Sequence, residues 1–236
     1  MKTAAIVQAR MGSTRLPGKV MKKIIGVPMI ELLLKRLSKA QTLDCIILAA
    51  SDKSENIPLK DYVQDLGFHV ESGDETDVLG RYFQTASKLG IYNIVRITGD
   101  CPLIDPNLVD TVVRMFQKGQ YDYASNIHPR SYPKGLDTEI FTFKALEIAH
   151  QMAVRDFDRE HVTPFIINGT QFNRGYLSND KDFSKKRWTV DEASDFTVVE
   201  KVFEYFDPNI NFTWKDVLRL ETTKPEFFTF NSHLKE

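Results

Sequence analysis

The chain has 236 residues, of which 42% are hydrophobic, so it is long enough for one large domain with a substantial core. Its 31 Lys and Arg residues almost balance its 32 Asp and Glu residues, which leaves a net charge of −1. This balance excludes a global electrostatic field that would attract nucleic acid or an anionic membrane, so any site for an anion must be local.

The cysteines and the apolar segments predict the compartment. Cys45 and Cys101 are far apart, lack the CxxC spacing of a zinc site and lie beside apolar residues, which predicts buried free thiols. The first apolar run is too short for a signal peptide and ends at Arg10. Because no segment approaches about 20 consecutive apolar residues, none is expected to span a membrane. We therefore expect a soluble cytoplasmic protein without a nucleic-acid or membrane partner.

The first half of the chain predicts alternating strands and helices. Short apolar runs predict strands at residues 4–9, 45–51, 68–72 and 91–98. Apolar residues at helical spacing predict a helix that Pro28 opens and further helices at residues 58–66, 77–90 and 106–119. Strands that are apolar on both faces and alternate with helices favour an α/β fold with a mostly parallel sheet and helices on both faces.

The pattern is less regular in the second half. Here we predict strands at residues 121–127 and 138–143, a strand end at 187–191, and helices at 144–153, 194–206 and 213–220. The polar tail at residues 222–236 contains several aromatic residues and is expected to pack over the body. We find no internal repeat or flexible linker, so a single domain over residues 1–236 is predicted.

A basic, glycine-rich loop follows the first predicted strand. Three cations surround two glycines and a serine in "IVQARMGSTRLPGKV", namely Arg10, Arg15, Lys19, Gly12, Gly18 and Ser13. Glycine lets backbone N–H groups approach phosphate oxygens closely. A P-loop is disfavoured, because five residues rather than four separate the glycines and Val20 replaces the required Ser or Thr. The loop therefore predicts a phosphate site of another kind, with a basic surface turn as the alternative.

Asp100 and Asp191 each follow a predicted strand. In open α/β sheets, ligands bind beyond the carboxyl ends of the strands. Each aspartate alone is equally typical of a turn, and Ser194 or Asp195 could cap the helix after Asp191. Two carboxylates beside a basic glycine loop, however, are the set that Mg²⁺ and a nucleoside triphosphate require.

Six segments together carry a family resemblance: "IVQARMGSTRLPGKV", "ESGDETDVLGRY", "RITGDCPLIDP", "PKGLDTEIF", "REHVTPFI" and "RWTVDEASDF". In this order, from about Thr3 to about Asp207, the chain closely resembles the spore-coat polysaccharide biosynthesis cytidylyltransferases. These are relatives of the CMP-KDO and CMP-acylneuraminate synthetases. The resemblance implies a nucleotide-diphospho-sugar transferase (GT-A-like) fold, a homodimer, and the conversion of CTP and an acidic sugar into CMP-sugar and pyrophosphate. The order of the basic loop resembles the KDO branch more than the acylneuraminate branch.

The resemblance also implies roles for individual residues. The implied catalytic residues are Arg10, Lys19, Asp100 and Asp191, the last two as Mg²⁺ ligands. The implied nucleotide-binding residues are Gln8, Ala9, Arg10, Gly12, Ser13, Arg15, Lys19, Arg81 and Asp100. The implied candidates for sugar binding are Asp137, Glu139 and His161, in a region at about 120–190 that would also carry subunit contacts.

Some of these roles have alternatives. Arg81 is four residues from Asp77 and could form a helix-surface ion pair with it. His161 could be a buried histidine or a subunit contact. The carboxylate of an acidic sugar needs a cation, for which Arg130, Lys134 and Arg159 are candidates; otherwise the acceptor is neutral.

Two other functions compete with the cytidylyltransferase. A GT-A glycosyltransferase would share the fold and the metal, but its usual Asp-x-Asp is missing because Pro102 stands two residues after Asp100. The other is a non-catalytic nucleotide-binding module; the presence of both metal carboxylates and all three loop cations argues against it, and a turnover assay distinguishes it.

Overall fold

The strands and helices follow the apolar pattern of the sequence in the computed structural model, which describes residues 1–234. The strands are β1 (Thr3–Ala9), β2 (Lys23–Ile24), β3 (Val27–Pro28), β4 (Cys45–Ser51), β5 (His69–Gly73), β6 (Asn93–Thr98), β7 (Tyr123–Ser125), β8 (Glu139–Thr142) and β9 (Arg174–Tyr176). The helices are α1 (Met29–Leu37), α2 (Ile57–Asp65), α3 (Val78–Leu89), α4 (Pro106–Gly119), α5 (Phe143–Met152), α6 (Asp156–His161), α7 (Pro164–Asn168), α8 (Ala193–Phe206) and α9 (Trp214–Thr223).

One seven-stranded sheet organises the chain, in the order β5-β4-β1-β6-β8-β7-β9. Strands β5, β4, β1 and β6 are mutually parallel, β8 is antiparallel to both of its neighbours, and β9 is parallel to β7. The predicted mostly parallel sheet is therefore confirmed. Because Gln8 pairs with Thr98, the carboxyl ends of β1 and β6 lie side by side, and the two polar loops that follow them are neighbours.

Apolar side chains cover both faces of the sheet. Along β1, Ala5 and Val7 belong to one buried cluster, whereas Ala4 and Ile6 belong to another. Helices α1, α4 and α8 contribute to the first cluster, and α3 and α5 contribute to the second. This arrangement confirms helices on both faces, and it explains why the central strands are apolar at consecutive positions.

The prediction of a strand end at residues 187–191 was wrong. Within this segment, Arg187 alone takes part in β-pairing, through an isolated bridge with Lys134. The segment instead crosses the end of the sheet, where Trp188 N–H donates to the Lys134 carbonyl at 2.8 Å and Val190 N–H donates to the Asp100 carbonyl at 2.8 Å. The apolar residues of this segment are buried although they do not pair in a β-ladder. The segment therefore has the composition of a strand without its hydrogen bonding.

Five short elements were not predicted: β2, β3, β9, α6 and α7. Each has six residues or fewer, which is too short for a periodic pattern to identify. The described part of the tail packs over the body as expected, since Phe227 and Phe228 contact the core and Asn231 is buried. Residues 235–236 of the predicted tail lie outside the described residues.

The structure also bears on two further expectations, which concern the cysteines and membrane-spanning helices. Cys101 is a buried free thiol as predicted, whereas Cys45 is free but only half-buried. Among residues 1–234, no helix combines the length and the hydropathy that a bilayer crossing requires.

Candidate active site

The basic loop after β1 is a closed turn. Met11 O accepts hydrogen bonds from Ser13 N–H at 2.8 Å and from Gly18 N–H at 3.0 Å, and Met11 N–H donates to Asn56 Oδ1 at 2.7 Å. Gly18 adopts φ +66°, a left-handed conformation that glycine takes without strain. The turn ends there, and a 3₁₀ turn at Lys19–Met21 begins.

Lys19 brings the two predicted carboxylates together. Its Nζ lies 2.6 Å from Val190 O, 3.1 Å from Asp191 Oδ1 and 3.5 Å from Asp100 Oδ2. The lysine side chain is 12% exposed, so these contacts are largely shielded from water. Three residues that the sequence separates by 81 and 172 positions thus form one cluster at the end of the sheet.

Asp191 is surrounded by positive charge. Besides Lys19, Arg15 Nη2 lies 3.4 Å from Asp191 Oδ1, and Arg187 Nη2 lies 3.2 Å from Asp191 Oδ2. Burial acts to raise the pKa of Asp191, but Lys19, Arg15 and Arg187 together hold this pKa below its usual value. The carboxylate is therefore ionised at neutral pH, the form that binds a cation.

An open cleft of about 360 Å³ contains this cluster, a size typical of small-ligand sites. Most of the predicted site residues line it: Gln8, Ala9, Arg10, Ser13, Arg15, Lys19, Arg81, Asp100, His161 and Asp191. Gly12 belongs to the same loop but does not line the cleft; a Cβ there would come within 2.7 Å of Glu55 Oε1.

Arg81 lies in the cleft wall rather than on the helix surface. It is 4% exposed, its Nη1 donates to Asp74 O at 2.5 Å, and burial lowers its pKa. Among the described residues, its Nε has no hydrogen-bond partner. The alternative ion pair with Asp77 is wrong, because the Asp77 carboxylate caps α3 at Gly80 N–H and pairs with Arg159 at 2.5 Å.

Two of the sugar-binding candidates do not line the cleft. Asp137 forms a bidentate pair with Arg130 at 2.6 and 2.7 Å. The Glu139 side chain is 3% exposed and bonds Arg96 at 2.5 Å and the Tyr123 hydroxyl at 2.7 Å. Glu139 on β8 lies opposite Arg96 on the antiparallel strand β6. The Glu139 carboxylate is therefore bound within the sheet layer.

His161, by contrast, lines the cleft beside Glu160. Its ring contacts the Phe157 ring, with 4.4 Å between centroids, and the residue is exposed. The alternative of a buried histidine is therefore wrong. Arg159, one of the cations considered for a sugar carboxylate, is engaged by Asp77.

Sequence reasoning missed the support behind Asp191. Arg187 Nε and Nη2 donate to the two oxygens of Asp195 at 2.9 and 2.8 Å. Asp195 was considered only as a helix cap; it does take part in a capping box with Glu192, while Ser194 does not cap. On a helix, the four-residue spacing from Arg187 to Asp191 would predict an ion pair. This segment is not helical, so the spacing alone did not predict the contact.

Known proteins are similar to this chain over the region that contains both the sheet and the cleft. A cytidylyltransferase family model matches residues 4–213. The spore coat polysaccharide biosynthesis protein SpsF of Bacillus subtilis is 29% identical over 234 residues, 95% of each chain. A 3-deoxy-manno-octulosonate cytidylyltransferase of Hydrogenovibrio crunogenus is 31% identical over 156 residues, 63% of this chain and 60% of that protein.

A solved structure agrees with the sequence matches. The cytidylyltransferase of Leptospira borgpetersenii superposes with a TM-score of 0.92 at 30% identity, and the match covers 97% of each chain. The region that the family model matches includes Lys19, Asp100 and Asp191. This chain is therefore an enzyme that belongs to the cytidylyltransferase family of nucleotidyltransferases.

Proposed function

We propose that the enzyme transfers a cytidylyl group from CTP to an acidic sugar of the ulosonic or nonulosonic type, for surface polysaccharide biosynthesis. The observation that carries this proposal is the contact of Lys19 with both Asp100 and Asp191 beside the basic glycine loop. The names of two relatives support the same class of reaction, since SpsF is named for polysaccharide biosynthesis and the other for cytidylyl transfer to an octulosonate.

In the proposed reaction, a sugar hydroxyl oxygen forms a bond to the α-phosphorus of CTP while the bond to pyrophosphate breaks. Such a transfer depends on positioning and on neutralising negative charge more than on covalent help from the protein. Arg10, Arg15 and Lys19 line the cleft and are the cations proposed to bind the triphosphate and the leaving pyrophosphate. Removing one contact of this kind commonly costs about 10²–10³-fold in rate.

Asp100 and Asp191 are the proposed ligands of Mg²⁺. No group of three or more His, Cys, Asp or Glu side chains within residues 1–234 could hold a metal ion. Two carboxylates suit Mg²⁺, which takes its remaining ligands from phosphates and water. When bound, Mg²⁺ supplies charge neutralisation at the phosphates. In this structure Lys19 Nζ lies between the two carboxylates and offsets their mutual repulsion; a bound Mg²⁺ would take over this role, which would release Lys19 to the phosphates.

An acidic acceptor needs a cation in the cleft itself, because two of the cations considered for its carboxylate are engaged elsewhere, Arg130 by Asp137 and Arg159 by Asp77. The two acids of "GLDTE" do not add negative charge to the cleft, since Arg130 neutralises Asp137 and Arg96 neutralises Glu139. The cleft itself contains Arg81 and the loop cations, which suit a substrate that carries a carboxylate as well as phosphates. His161 is the remaining candidate for a contact with the sugar.

A turnover assay tests the proposal. The enzyme is supplied with Mg²⁺, one of the four nucleoside triphosphates and one acceptor from a panel of acidic and neutral sugars, and pyrophosphate and the CMP-sugar mass are measured. We expect product with CTP and an acidic sugar. Turnover with neutral acceptors alone would overturn the acidic-sugar assignment, and consumption of a nucleotide-sugar instead of its formation would indicate a glycosyltransferase.

We also propose a cytoplasmic homodimer. Met152, Val154 and Phe157 are 60%, 87% and 58% exposed, and they lie in the region that was expected to carry subunit contacts. These three exposed apolar residues fall within six positions of the chain, and exposed apolar patches are typical of a protein interface. Light scattering should give twice the chain mass for the native enzyme and the single chain mass for Val154→Lys; a native monomer would contradict the assignment.

A further inference from the structure

We infer that the C-terminal segment positions the proposed metal ligand Asp191, with Asn231 as the positioning residue that acts through Arg187 and Asp195. This inference rests on the proposed function, because it gives the segment a role in Mg²⁺-dependent nucleotide binding. The family match ends at residue 213, so Asn231 lies outside the part of the chain that the match covers.

Asp195 fixes the backbone at Asp191. This carboxylate is 0% exposed, and its Oδ2 accepts the backbone N–H groups of Asp191 at 3.0 Å and Glu192 at 3.1 Å. A rotation or displacement of the Asp195 carboxylate would break both bonds. The backbone that carries the Asp191 side chain therefore follows the position of Asp195.

Arg187 fixes the side chain of Asp191. Its guanidinium is bidentate to Asp195 and also donates to Asp191 Oδ2 at 3.2 Å. A planar guanidinium presents its donors in a fixed fork, so the orientation that Asp195 imposes on it also sets its bond to Asp191. Arg187 does not line the substrate cleft, so its effect on the reaction must pass through Asp191.

Asn231 holds both members of this pair. Its Nδ2 donates to Asp195 Oδ1 at 2.9 Å and to the Arg187 carbonyl at 3.1 Å. The residue is 6% exposed, so both hydrogen bonds are shielded from water. Asn231 thus connects the final segment to the carboxylate that faces the cleft, through a continuous chain of buried and partly buried polar contacts.

Calorimetry of CTP binding without an acceptor tests the inference, because no turnover occurs. CTP is titrated with Mg²⁺ and with a chelator into the native enzyme and into Asn231→Ala, Asn231→Asp, Asp191→Asn and Ser232→Ala. Ser232 is the matched control, since it is exposed and, among residues 1–234, its hydroxyl bonds only the nearby Thr229 carbonyl. Outer-shell partners of metal ligands commonly contribute about 10–100-fold, so we expect Asn231→Ala to weaken Mg²⁺-dependent binding about 10-fold.

Asn231→Asp separates hydrogen bonding from packing. It keeps the side-chain shape but places an acceptor where Asp195 needs a donor, so it should weaken Mg²⁺-dependent binding at least as much as Asn231→Ala. Binding in the chelator should be unchanged in both variants, and Ser232→Ala should bind CTP like the native enzyme. If thermal melting shows that the Asn231 variants do not fold, Arg187→Lys is measured instead; it retains the charge but loses the fork, and the same weakening is expected.

The outcomes distinguish the inference from the proposed function. If Asp191→Asn loses Mg²⁺-dependent binding while folded Asn231→Ala and Asn231→Asp retain it, the inference is wrong and the metal assignment stands. If Asp191→Asn itself retains Mg²⁺-dependent binding, the metal assignment fails, and the inference fails with it.

Discussion

Asp100 and Asp191 share the ammonium group of Lys19, so a metal ion at these carboxylates would have to displace that contact. We expect Asp100→Asn and Asp191→Asn each to lower the turnover number by about 10²-fold or more, because an amide cannot supply the charge that Mg²⁺ requires. The melting temperature should fall more for Asp191→Asn than for Asp100→Asn, because the Asp191 carboxylate is paired with Lys19, Arg15 and Arg187, so turnover is compared for the folded fraction. Pyrophosphate release at saturating CTP measures the effect.

Cys101→Ser is the control for these two variants. The thiol is buried, and burial together with the nearby Asp100 and Asp137 raises its pKa well above the usual value, so it is neutral. The serine hydroxyl is close to the thiol in size and can make the same contacts with Thr98 Oγ1 and Asp100 Oδ1, so turnover should stay close to that of the native enzyme. Activity within a few-fold of native in either aspartate variant would contradict the metal assignment.

The loop cations should discriminate between nucleotides by the number of phosphates. We expect Lys19→Ala and Arg15→Ala to weaken CTP binding far more than CMP binding, because CMP lacks the β- and γ-phosphates that these side chains are proposed to contact. Calorimetry with both nucleotides measures the two dissociation constants. Lys22→Ala is the control, since Lys22 lies over the Phe196 ring outside the cleft. Equal losses for CTP and CMP would mean that these cations do not face the leaving group.

At the scale of elements, Asp77 joins two helices that border the cleft. Its carboxylate accepts Gly80 N–H at 2.8 Å at the start of α3, and it pairs with Arg159 of α6 at 2.5 Å. Helix α3 carries Arg81, and α6 ends at His161. One aspartate therefore sets the relative position of two cleft residues.

Replacing Asp77 should separate its two roles. Asp77→Ala removes the cap and the partly exposed ion pair, and we expect the free energy of unfolding to fall by about 1–2 kcal/mol. Asp77→Asn keeps an oxygen that can cap α3, so its loss should be smaller. Urea denaturation measures both variants, and an equal loss in the two would indicate that the cap contributes nothing.

The elements themselves were largely predictable. The helix expected at residues 106–119 is α4, and the helix expected at 77–90 is α3 with Gly90 as its left-handed cap, because both carry a clear apolar period and terminal signals. The errors fall where length or context removes that signal. Elements such as α7 are too short to show a period, and residues 187–191 are apolar because they cross buried surface rather than because they pair in a ladder.

At the scale of the whole molecule, the loop before β8 holds the segment that carries Asp191. Gly135 adopts φ +107°, and a Cβ there would come within 2.6 Å of Thr189 N and the Trp188 carbonyl carbon. Backbone strain at such a position costs about 1–3 kcal/mol, and Gly135→Ala should lower the free energy of unfolding by more than this because of the added close contact. It should also lower turnover by displacing Asp191.

Gly67→Ala is the matched control for this prediction. Gly67 also has a positive φ, +86°, but nothing lies within 4 Å of the added Cβ. It should lose stability through strain alone and retain native turnover once the folded fraction is taken into account. Urea denaturation and pyrophosphate release, measured on both variants, compare the two effects. Equal turnover in the two would contradict a role for the close contact at Gly135.

The sequence by itself determined the α/β class, the order of the main elements and the cleft residues in the loop after β1 and at Asp100 and Asp191. These features depend on local information: the apolar period, the chemistry of glycine and the position of polar residues after strands. The tertiary structure alone decided which side chains meet. Asp77 pairs with Arg159 rather than Arg81, Glu139 is held by Arg96, and Asn231 reaches Asp195. The physical reason is that an ion pair or hydrogen bond forms between groups that are close in space, and folding brings together charges that no spacing along the chain identifies.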